Sequence, residues 1–341
     1  MKNVLRTIDY KEYGMLYALI IFWILMFFTN QYFRSWENIL SIMREASFYG
    51  ITVLGMTFLI GAKMIDLSVG PAVALIGIIC ISLLDVVGIY LSIIICLIIG
   101  AFIGLVNGFL TVKLNIPSII VTLGTFNIIK SVSYIITGGP PITTKNSVFT
   151  NIGNGSFLSI PIPFYVYFAF TLVAIYLMTR TKFGRYTLAV GNNEKAAYIA
   201  GVKTQRVRIS VFILLGIFTA ISAILLSSRL WSSNADLKPN YEFDVITITV
   251  MSGCLLSGGK ANILNTFFST LFYVSIANAM NNYHVDPFWQ YVIKGFILLL
   301  AFSINSIREI IIDKIQLQKI RSEQQKKINI SGLKDYEGTV Q

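Results

Sequence analysis

The chain has 341 residues, of which 55% are hydrophobic and only 13% are charged. Soluble domains normally carry about 25% charged residues, so this composition excludes a chain built around a soluble catalytic domain. A net charge of +11 could indicate nucleic-acid binding, but the positions of the basic residues indicate a membrane topology instead.

Cysteine and histidine are too scarce and too scattered to predict a metal centre. Cys80, Cys96 and Cys254 lie in apolar runs and lack the spacing of a zinc site or a disulfide framework. His284 is the only histidine. We therefore expect neither a resident metal nor a histidine-based catalytic triad.

The chain starts with a basic segment, residues 1–12, that is followed by an apolar run from Tyr13 to Thr29. This run resembles a signal peptide, but no small-x-small cleavage site follows it. We predict a cytoplasmic N-terminus and an uncleaved first span.

Ten apolar runs have about the length that a transmembrane helix needs. They are apolar on every face, and helices satisfy their backbone hydrogen bonds within lipid. We therefore predict an all-α, polytopic membrane protein with about ten transmembrane helices, in which spans 2–5 and 7–10 are candidate inverted repeats. The eighth run is the shortest and is suspected to be a broken helix. The predicted spans are residues 13–29, 46–64, 70–87, 89–111, 117–136, 162–179, 209–228, 243–257, 262–280 and 287–306.

The distribution of basic residues predicts that both termini lie inside. With that orientation the inside segments hold 19 of the 27 Lys and Arg residues, the outside loops hold 5 and the spans hold 3. Such an excess is what the positive-inside rule requires. Residues 13–306 are then the transmembrane domain, and the polar residues 307–341 form a cytoplasmic tail.

The junction between the second and third spans, Met64 to Pro71, places a carboxylate beside helix-breaking residues. Irregular backbone at membrane depth is tolerated only within protein or along a water-filled cavity, and ionisable groups there are functional candidates. Asp66 and Ser68 are therefore candidate pathway residues, and Lys63 is a candidate partner for Asp66. Alternatively, Asp66 only caps the helix that follows.

The fourth span carries Gly100, Gly104 and Gly108 at four-residue spacing, which predicts a groove for a close helix neighbour. Asn107 lies beside this groove and is a candidate pathway residue.

The fifth span begins near Pro117 and then carries four polar residues at helical spacing, Ser118, Thr122, Thr125 and Lys130. This stripe could hydrogen-bond a polyol in a substrate pathway. The hydroxyl groups could equally bond the carbonyl groups of their own helix.

The largest inside loop, residues 180–208, holds seven basic residues and one acid, Glu194. Asn193 can cap a short helix over 194–200, and Gly201 suits its C-terminal end. So short a helix is not stable alone, so it needs a partner surface.

No energy-coupling chemistry is evident in the sequence. The glycine-rich turn Gly258-Gly259-Lys260-Ala261 lacks both the preceding glycine and the following Ser or Thr of a phosphate-binding loop. Active transport by this chain would therefore need a separate subunit or an ion gradient, and we expect the chain itself to hold no cofactor.

Several motifs, in order over residues 45–305, resemble those of the permease subunits of bacterial ABC importers for ribose and other simple sugars, including autoinducer-2. The motifs are Ile65-Asp66-Leu67-Ser68-Val69-Gly70, Val106-Asn107-Gly108, Thr122-Leu123-Gly124-Thr125, Phe183-Gly184-Arg185, Gly191 to Ala197 with Gly201, Tyr241 to Ile246, Leu256-Ser257-Gly258-Gly259 and Phe288-Trp289-Gln290.

The resemblance implies a permease pathway for a simple sugar in the bacterial cell membrane. It also implies several partners: an ABC ATPase subunit that binds the ATP, an extracytoplasmic sugar-binding protein docking in part on loop 137–162, and a second permease copy or paralogue within the lipid. The loop 180–208 would hold the coupling helix, which seats in the ATPase. Its candidate coupling residues are Asn193, Glu194, Ala196, Ala197, Tyr198, Ala200 and Gly201, and we expect Ala197→Trp to uncouple ATP hydrolysis without unfolding the protein.

The sequence departs from the family pattern around the motif Leu256-Ser257-Gly258-Gly259. Ser252-Gly253-Cys254 stands where the family usually has paired glycines before the leucine, and Ala261 stands where it has a glycine after the basic residue. This departure puts the local helix break in doubt and raises the hypothesis of a heterodimer of unequal permeases.

Two other classes of function are alternatives to an ABC permease. In an ion-coupled secondary transporter, Asp66, Glu242 and Asp244 would be ion ligands and the halves would be inverted repeats. That class gives the basic loop no role. A membrane-embedded enzyme is disfavoured because the chain lacks clusters suited to metal or nucleophilic chemistry.

Overall fold

The computed structural model describes residues 14–304, 306 and 307, so the predicted N-terminal segment and nearly all of the predicted tail lie outside the described residues. Almost all the regular structure is helical, which confirms the all-α prediction. The helices are α1 (Gly14–Thr29), α2 (Trp36–Gly61), α3 (Val69–Val87), α4 (Ile89–Lys113), α5 (Ser118–Thr137), α6 (Ser147–Asn154), α7 (Ile162–Arg180), α8 (Lys182–Asn192), α9 (Glu194–Ile199), α10 (Thr204–Leu230), α11 (Tyr241–Met251), α12 (Ile263–Asn282) and α13 (Pro287–Ile304).

A helix coincides with each of the ten predicted spans. Seven of them, α3, α4, α5, α7, α10, α12 and α13, are long and apolar enough to cross a membrane. Of the other three, α1 is apolar but has 16 residues, α2 has 26 residues and carries charges in its first half, and α11 has only 11 residues. The multi-pass architecture is confirmed, while the number of crossings, the orientation and the inverted repeat stay predictions.

Contacts between Cα atoms divide the chain into two compact units, Met1–Leu298 and Leu299–Gln341. In the first unit, α2 is the central helix, because every residue from Ala46 to Gly61 is buried. It packs against α7, α10, α11 and α12. A helix buried on all sides must be apolar around its whole circumference, which explains its lack of amphipathic character.

The glycine groove predicted on α4 is filled by α10. A Cβ atom at Gly100 or Gly104 would collide with backbone atoms of α10, and a Cβ at Gly216 on α10 would collide with Gly100 in return. The small residues thus let the two backbones approach closely. This groove serves packing within the chain.

Two helix breaks meet at one end of the bundle, where α2 gives way to residues 62–68 and α11 gives way to residues 252–262. Gly253, Gly258 and Gly259 have φ between 76 and 85°, a conformation in which glycine avoids the steric cost of a side chain. The amide of Gly259 donates to the carbonyl of Gly61 at 3.0 Å. The sequence departure had put the break after the eighth span in doubt. The break is present, because Gly253 supplies the left-handed residue on its own.

The segment 231–240 between α10 and α11 folds back along α3. Its strand β4 (Ser232–Ser233) pairs antiparallel with β1 (Ile142–Thr143), and the Ser233 hydroxyl donates to the carbonyl of Ala74 at 3.2 Å. The Tyr241 hydroxyl then donates to Phe48, near the middle of α2. As a result α11 begins deep in the bundle rather than at its end. A second small ribbon, β2 (Ser156–Phe157) with β3 (Ile160–Pro161), precedes α7.

Candidate substrate pathway and coupling segment

Three predicted site residues, Asp66, Ser68 and Asn107, form one buried cluster. Asp66 Oδ1 accepts from the amide of Ser68 at 2.7 Å and from its hydroxyl at 2.6 Å. Asn107 Nδ2 donates to Asp66 Oδ2 at 3.1 Å and to Ser68 Oγ at 2.9 Å. The cluster therefore ties the break before α3 to α4, 41 positions further along the chain.

The burial and bonding of these three residues fit the predicted helix cap better than the lining of an open pathway. Asp66 is 3% exposed, Ser68 is 1% exposed and Asn107 is fully buried. Asp66 organises the turn before α3, although the residue at the cap position, Ser68, makes no side-chain cap bond. Within the described residues, Lys63 forms no ion pair with Asp66.

The hydroxyl stripe on α5 is largely occupied by backbone bonds. Thr122 donates to the carbonyl of Ser118 at 2.9 Å, and Thr125 donates to the carbonyl of Thr122 at 3.2 Å. Ser118 instead accepts from the amide of Ile65 at 3.2 Å, which holds the break before α3 against α5. The hydroxyl groups of Thr122 and Thr125 therefore bond carbonyl groups of their own helix, which was the alternative to a polyol-binding stripe.

Lys130 has a different environment from the rest of the stripe. Its ammonium lies 3.1 Å from Asp236 Oδ1, and the Tyr134 hydroxyl also donates to Asp236. The side chains of Lys130 and Asp236 are 38% and 51% exposed. Charged groups halfway along an apolar helix are tolerated next to water or protein and not next to lipid. This pair therefore predicts that the face of α5 around Lys130 lies against water or protein rather than lipid.

Sequence reasoning missed Asp236 and Tyr134 as neighbours of Lys130. Asp236 was counted as part of an outside loop because nothing in the local pattern shows that segment 231–240 folds back into the bundle. Proximity to Lys130 follows from that fold-back, which depends on long-range contacts to α3.

Of the three acidic residues proposed for ion coupling, Asp66 and Asp244 already have hydrogen-bond or ion-pair partners. Asp244 accepts from the hydroxyls of Tyr49, at 2.8 Å, and Tyr273, and from the ammonium of Lys294 at 2.9 Å. Glu242 lies buried against Gly70. The described residues contain no cluster of three or more His, Cys, Asp or Glu side chains that could hold a metal ion.

The short helix predicted in the loop 180–208 is present as α9. Asn193 Oδ1 accepts from the amide of Ala196 at 3.0 Å, so Asn193 caps the helix as expected. Gly201, with φ of 85°, follows its end. Glu194 pairs with Arg208 at 3.1 Å, which joins α9 to the start of α10.

The two faces of α9 differ sharply. Ala197 is 6% exposed and packs with Val190, Val202 and Val207. Tyr198 and Ile199 are 70% and 85% exposed. Ala196 and Ala200 are exposed as well. Ala197 thus anchors the segment from within, and the expectation that Ala197→Trp would leave the fold intact is unsupported, because tryptophan would overpack this small core.

The loop 180–208 also touches both helix breaks. A Cβ atom at Gly191, at the end of α8, would collide with the carbonyl of Gly61 and the amide of Gly259. Three backbones therefore meet without intervening side chains. Displacement of α8 and α9 would be transmitted directly to the ends of α2 and of the segment after α11.

A bundle with seven helices long and apolar enough to cross a membrane, and with broken, close-packed segments in its interior, is the architecture of a multi-pass membrane protein. Residues 38–302 match the family model described as "Branched-chain amino acid transport system / permease component". The chain belongs to this family of permeases and is a multi-pass protein of the cell membrane.

Individual relatives extend over nearly the whole chain. The ribose import permease protein RbsC of Haemophilus influenzae is 34% identical over 289 residues, covering 83% of this chain and 90% of the relative. RbsC of Bacillus subtilis is 36% identical, covering 85% and 91%. The L-arabinose transport system permease protein AraH of Escherichia coli K12 is 33% identical, covering 86% and 89%. No solved structure gives a significant match.

Proposed function

We propose that this chain is the membrane subunit of an ATP-driven importer and forms the pathway for a simple sugar, such as a ribose-like pentose. The observation that carries the proposal is near full-length similarity to permeases named for ribose and L-arabinose. The family description alone, which names branched-chain amino acids, would leave the substrate class open.

The shape of α9 supports a separate ATPase subunit as the source of energy. Tyr198 and Ile199 project from a helix that is capped, paired and anchored from behind. Large exposed apolar side chains held on a rigid element are typical of a protein interface. In this proposal the ATPase binds the ATP, the permease holds no cofactor of its own, and α9 seats in a groove of the ATPase.

The exposed charges on α5 support a pathway between two permease copies. Lys130, Tyr134 and Asp236 form a polar patch on a helix whose other exposed residues are mostly apolar. A second copy or a paralogue placed over this face would enclose the patch and keep it away from lipid. In this proposal Lys130 lines the pathway. The other predicted pathway residues lie behind the lining and stabilise the helices that form it; they are Asp66, Ser68, Asn107, Ser118, Thr122 and Thr125.

An ion-coupled secondary transporter is less well supported. Its proposed ligands Asp66 and Asp244 already accept three or more hydrogen bonds each from side chains and amides. Lys294 neutralises Asp244 directly. A sodium or proton site needs a carboxylate whose charge is open to the ion, and the Asp244 network leaves no such opening.

Reconstitution tests the proposal. The chain is placed in proteoliposomes with its ATPase subunit and its sugar-binding protein, and uptake of labelled D-ribose and L-arabinose is measured. We expect uptake that requires ATP, stops when the phosphate-binding lysine of the ATPase is replaced, and persists with a protonophore at constant ATP. Uptake that collapses with the protonophore and ignores the ATPase variant would contradict the proposal. An active complex containing only this permease would exclude the heterodimer.

A further inference from the structure

A polar cavity of about 340 Å³ lies at the end of the bundle opposite α9. Its walls come from the first half of α2, the last turns of α12, the start of α13 and Lys238 of segment 231–240. This volume falls at the lower end of the range of roughly 300–1,000 Å³ for small-molecule sites. The lining residues are Ser41, Ile42, Glu45, Tyr49, Lys238, Val274, Ala277, Asn278, Asn281, Gln290 and Lys294.

The charges around the cavity cancel in pairs. Lys238 forms an ion pair with Glu45, and Lys294 forms one with Asp244 at 2.9 Å. Tyr49 joins the two pairs, because Lys238 lies over its ring and its hydroxyl donates to Asp244. A cavity with balanced, paired charges favours a neutral polar ligand, since an ion would have to break one of these pairs.

The cavity also keeps hydrogen-bonding capacity of both kinds. Gln290 Nε2 donates to Asn281 Oδ1 at 2.9 Å, which leaves the amide oxygen of Gln290 and the amide nitrogen of Asn281 for a ligand. Among the described residues, the hydroxyl of Ser41 is in reach of the cavity and can both donate and accept, and each lysine has further N–H groups. A hydroxyl group both donates and accepts, so a polyol matches this lining.

Apolar side chains complete the lining on one side of the cavity. Ile42, Val274 and Ala277 contribute a small apolar wall suited to the C–H groups of a sugar ring. The ring of Tyr49 is stacked on Tyr241 on one side and covered by Lys238 on the other. Recognition here would depend on hydrogen bonds, and the two charged groups of an amino acid would compete with the existing ion pairs.

We propose that this cavity is a sugar-binding site of the permease itself, distinct from the Lys130 patch. The choice of a sugar rests on the proposed function, whereas the choice of a neutral polyol rests on the lining. Its position, far from α9, places it on the side where an external binding protein would release its ligand. The permease would therefore hold the sugar before passing it on.

The test uses the full chain in lipid nanodiscs, with binding of D-ribose and L-arabinose measured by equilibrium dialysis. Ala277→Leu narrows the cavity without removing a polar group. Asn281→Leu and Gln290→Leu remove amide groups at similar volume. Ala169→Leu, at an exposed position on α7, is the matched control for Ala277→Leu.

We expect saturable binding of at least one of these sugars, a loss of affinity of tenfold or more in Ala277→Leu and in the two amide variants, and no change in Ala169→Leu. L-Leucine should not compete. Melting temperatures of all four variants close to that of the unchanged chain would show that the losses are local. Absence of binding by the unchanged chain, equal binding by Ala277→Leu, or competition by leucine would each overturn the site.

The same variants in the ATP-driven uptake assay separate the two proposals. If ribose or arabinose uptake is ATP-dependent but unaffected by Ala277→Leu, the site is wrong and the importer function stands. If neither sugar is taken up by the unchanged complex although the nanodisc chain binds one, the proposed transport function is wrong and the site stands.

Discussion

Gly70 shows how one residue in a motif can be required by a partner far away in sequence. A Cβ atom at this position would collide with the carboxylate of Glu242, which is buried at the start of α11. The sequence shows a glycine at the start of a helix, where ordinary backbone arguments do not require one. The reason becomes visible only when α11 is placed against α3.

Gly70→Ala should therefore destabilise the protein by about 1–3 kcal/mol, the usual cost of overpacking. The measurement is the melting temperature of the purified chain in detergent. Gly124→Ala is the matched control, because a Cβ there meets no atom within 4 Å and alanine favours a helix. In a Glu242→Ala background the cost of Gly70→Ala should largely vanish, and an unchanged cost would mean that a different contact is responsible.

Substitutions at Lys130 and Asp236 should change sugar uptake without changing the stability of the protein. An ion pair this exposed contributes about 0–1 kcal/mol, so Lys130→Gln and Asp236→Asn should leave the melting temperature nearly unchanged. We expect both variants to lower sugar uptake severalfold, because the pair lies on the proposed pathway. Lys113→Gln, which affects only an exposed contact with Gln205, serves as the control. Normal uptake by both pathway variants would place the pathway elsewhere.

At the scale of elements, regular features could be predicted and irregular ones could not. The apolar runs located the ten helices that coincide with predicted spans, and Asn193 with Gly201 located α9, because these signals are local. The start of α11 was different. Its depth is set by the Tyr241 bond to Phe48 and by the pairing of β4 with β1, and neither leaves a local pattern. The pathway partner Asp236 was missed for the same reason.

Substitutions on the exposed and the buried face of α9 should have different effects. Tyr198→Ser and Ile199→Ser remove exposed side chains, so the melting temperature should hold while affinity for the ATPase subunit falls by about 2 kcal/mol or more. Ala197→Trp should instead lower the melting temperature, because it disturbs the cluster with Val190, Val202 and Val207. The measurements are differential scanning fluorimetry and co-purification with the ATPase.

Tyr283→Ser is the control for these variants, since Tyr283 is 52% exposed at the end of α12, far from α9. It should change neither property. If Tyr198→Ser and Ile199→Ser bound the ATPase as well as the unchanged chain does, α9 would not be the coupling helix. If Ala197→Trp kept both stability and binding, the buried anchor would be of little importance.

At the scale of the whole molecule, contacts within the helix bundle connect the helix breaks and the proposed coupling helix α9 to the proposed sugar cavity. The contact of Gly191 with Gly61 and Gly259 joins α8 and α9 to the ends of α2 and of the segment after α11. In turn, α2 and α11 carry Tyr49 and Asp244 at the proposed sugar cavity. Rigid helices that connect the two ends offer a mechanical route from an ATPase to the sugar site.

This arrangement requires that α9 and the β2–β3 ribbon lie on opposite sides of the membrane, as the excess of basic residues in the segments around 180–208 predicts. The native cysteines give little background for a labelling test, because Cys80, Cys96 and Cys254 are all buried. Tyr198→Cys should react with a membrane-impermeant maleimide only in inside-out vesicles, and Ser156→Cys only in intact cells. Both positions are exposed in the chain, so accessibility should depend on the side alone. Labelling of both cysteines from the same side of the membrane would rule out the predicted topology. If Tyr198→Cys reacted only in intact cells and Ser156→Cys only in inside-out vesicles, the topology would be inverted. The sugar cavity would then lie on the cytoplasmic side, where it could not receive a sugar from an external binding protein.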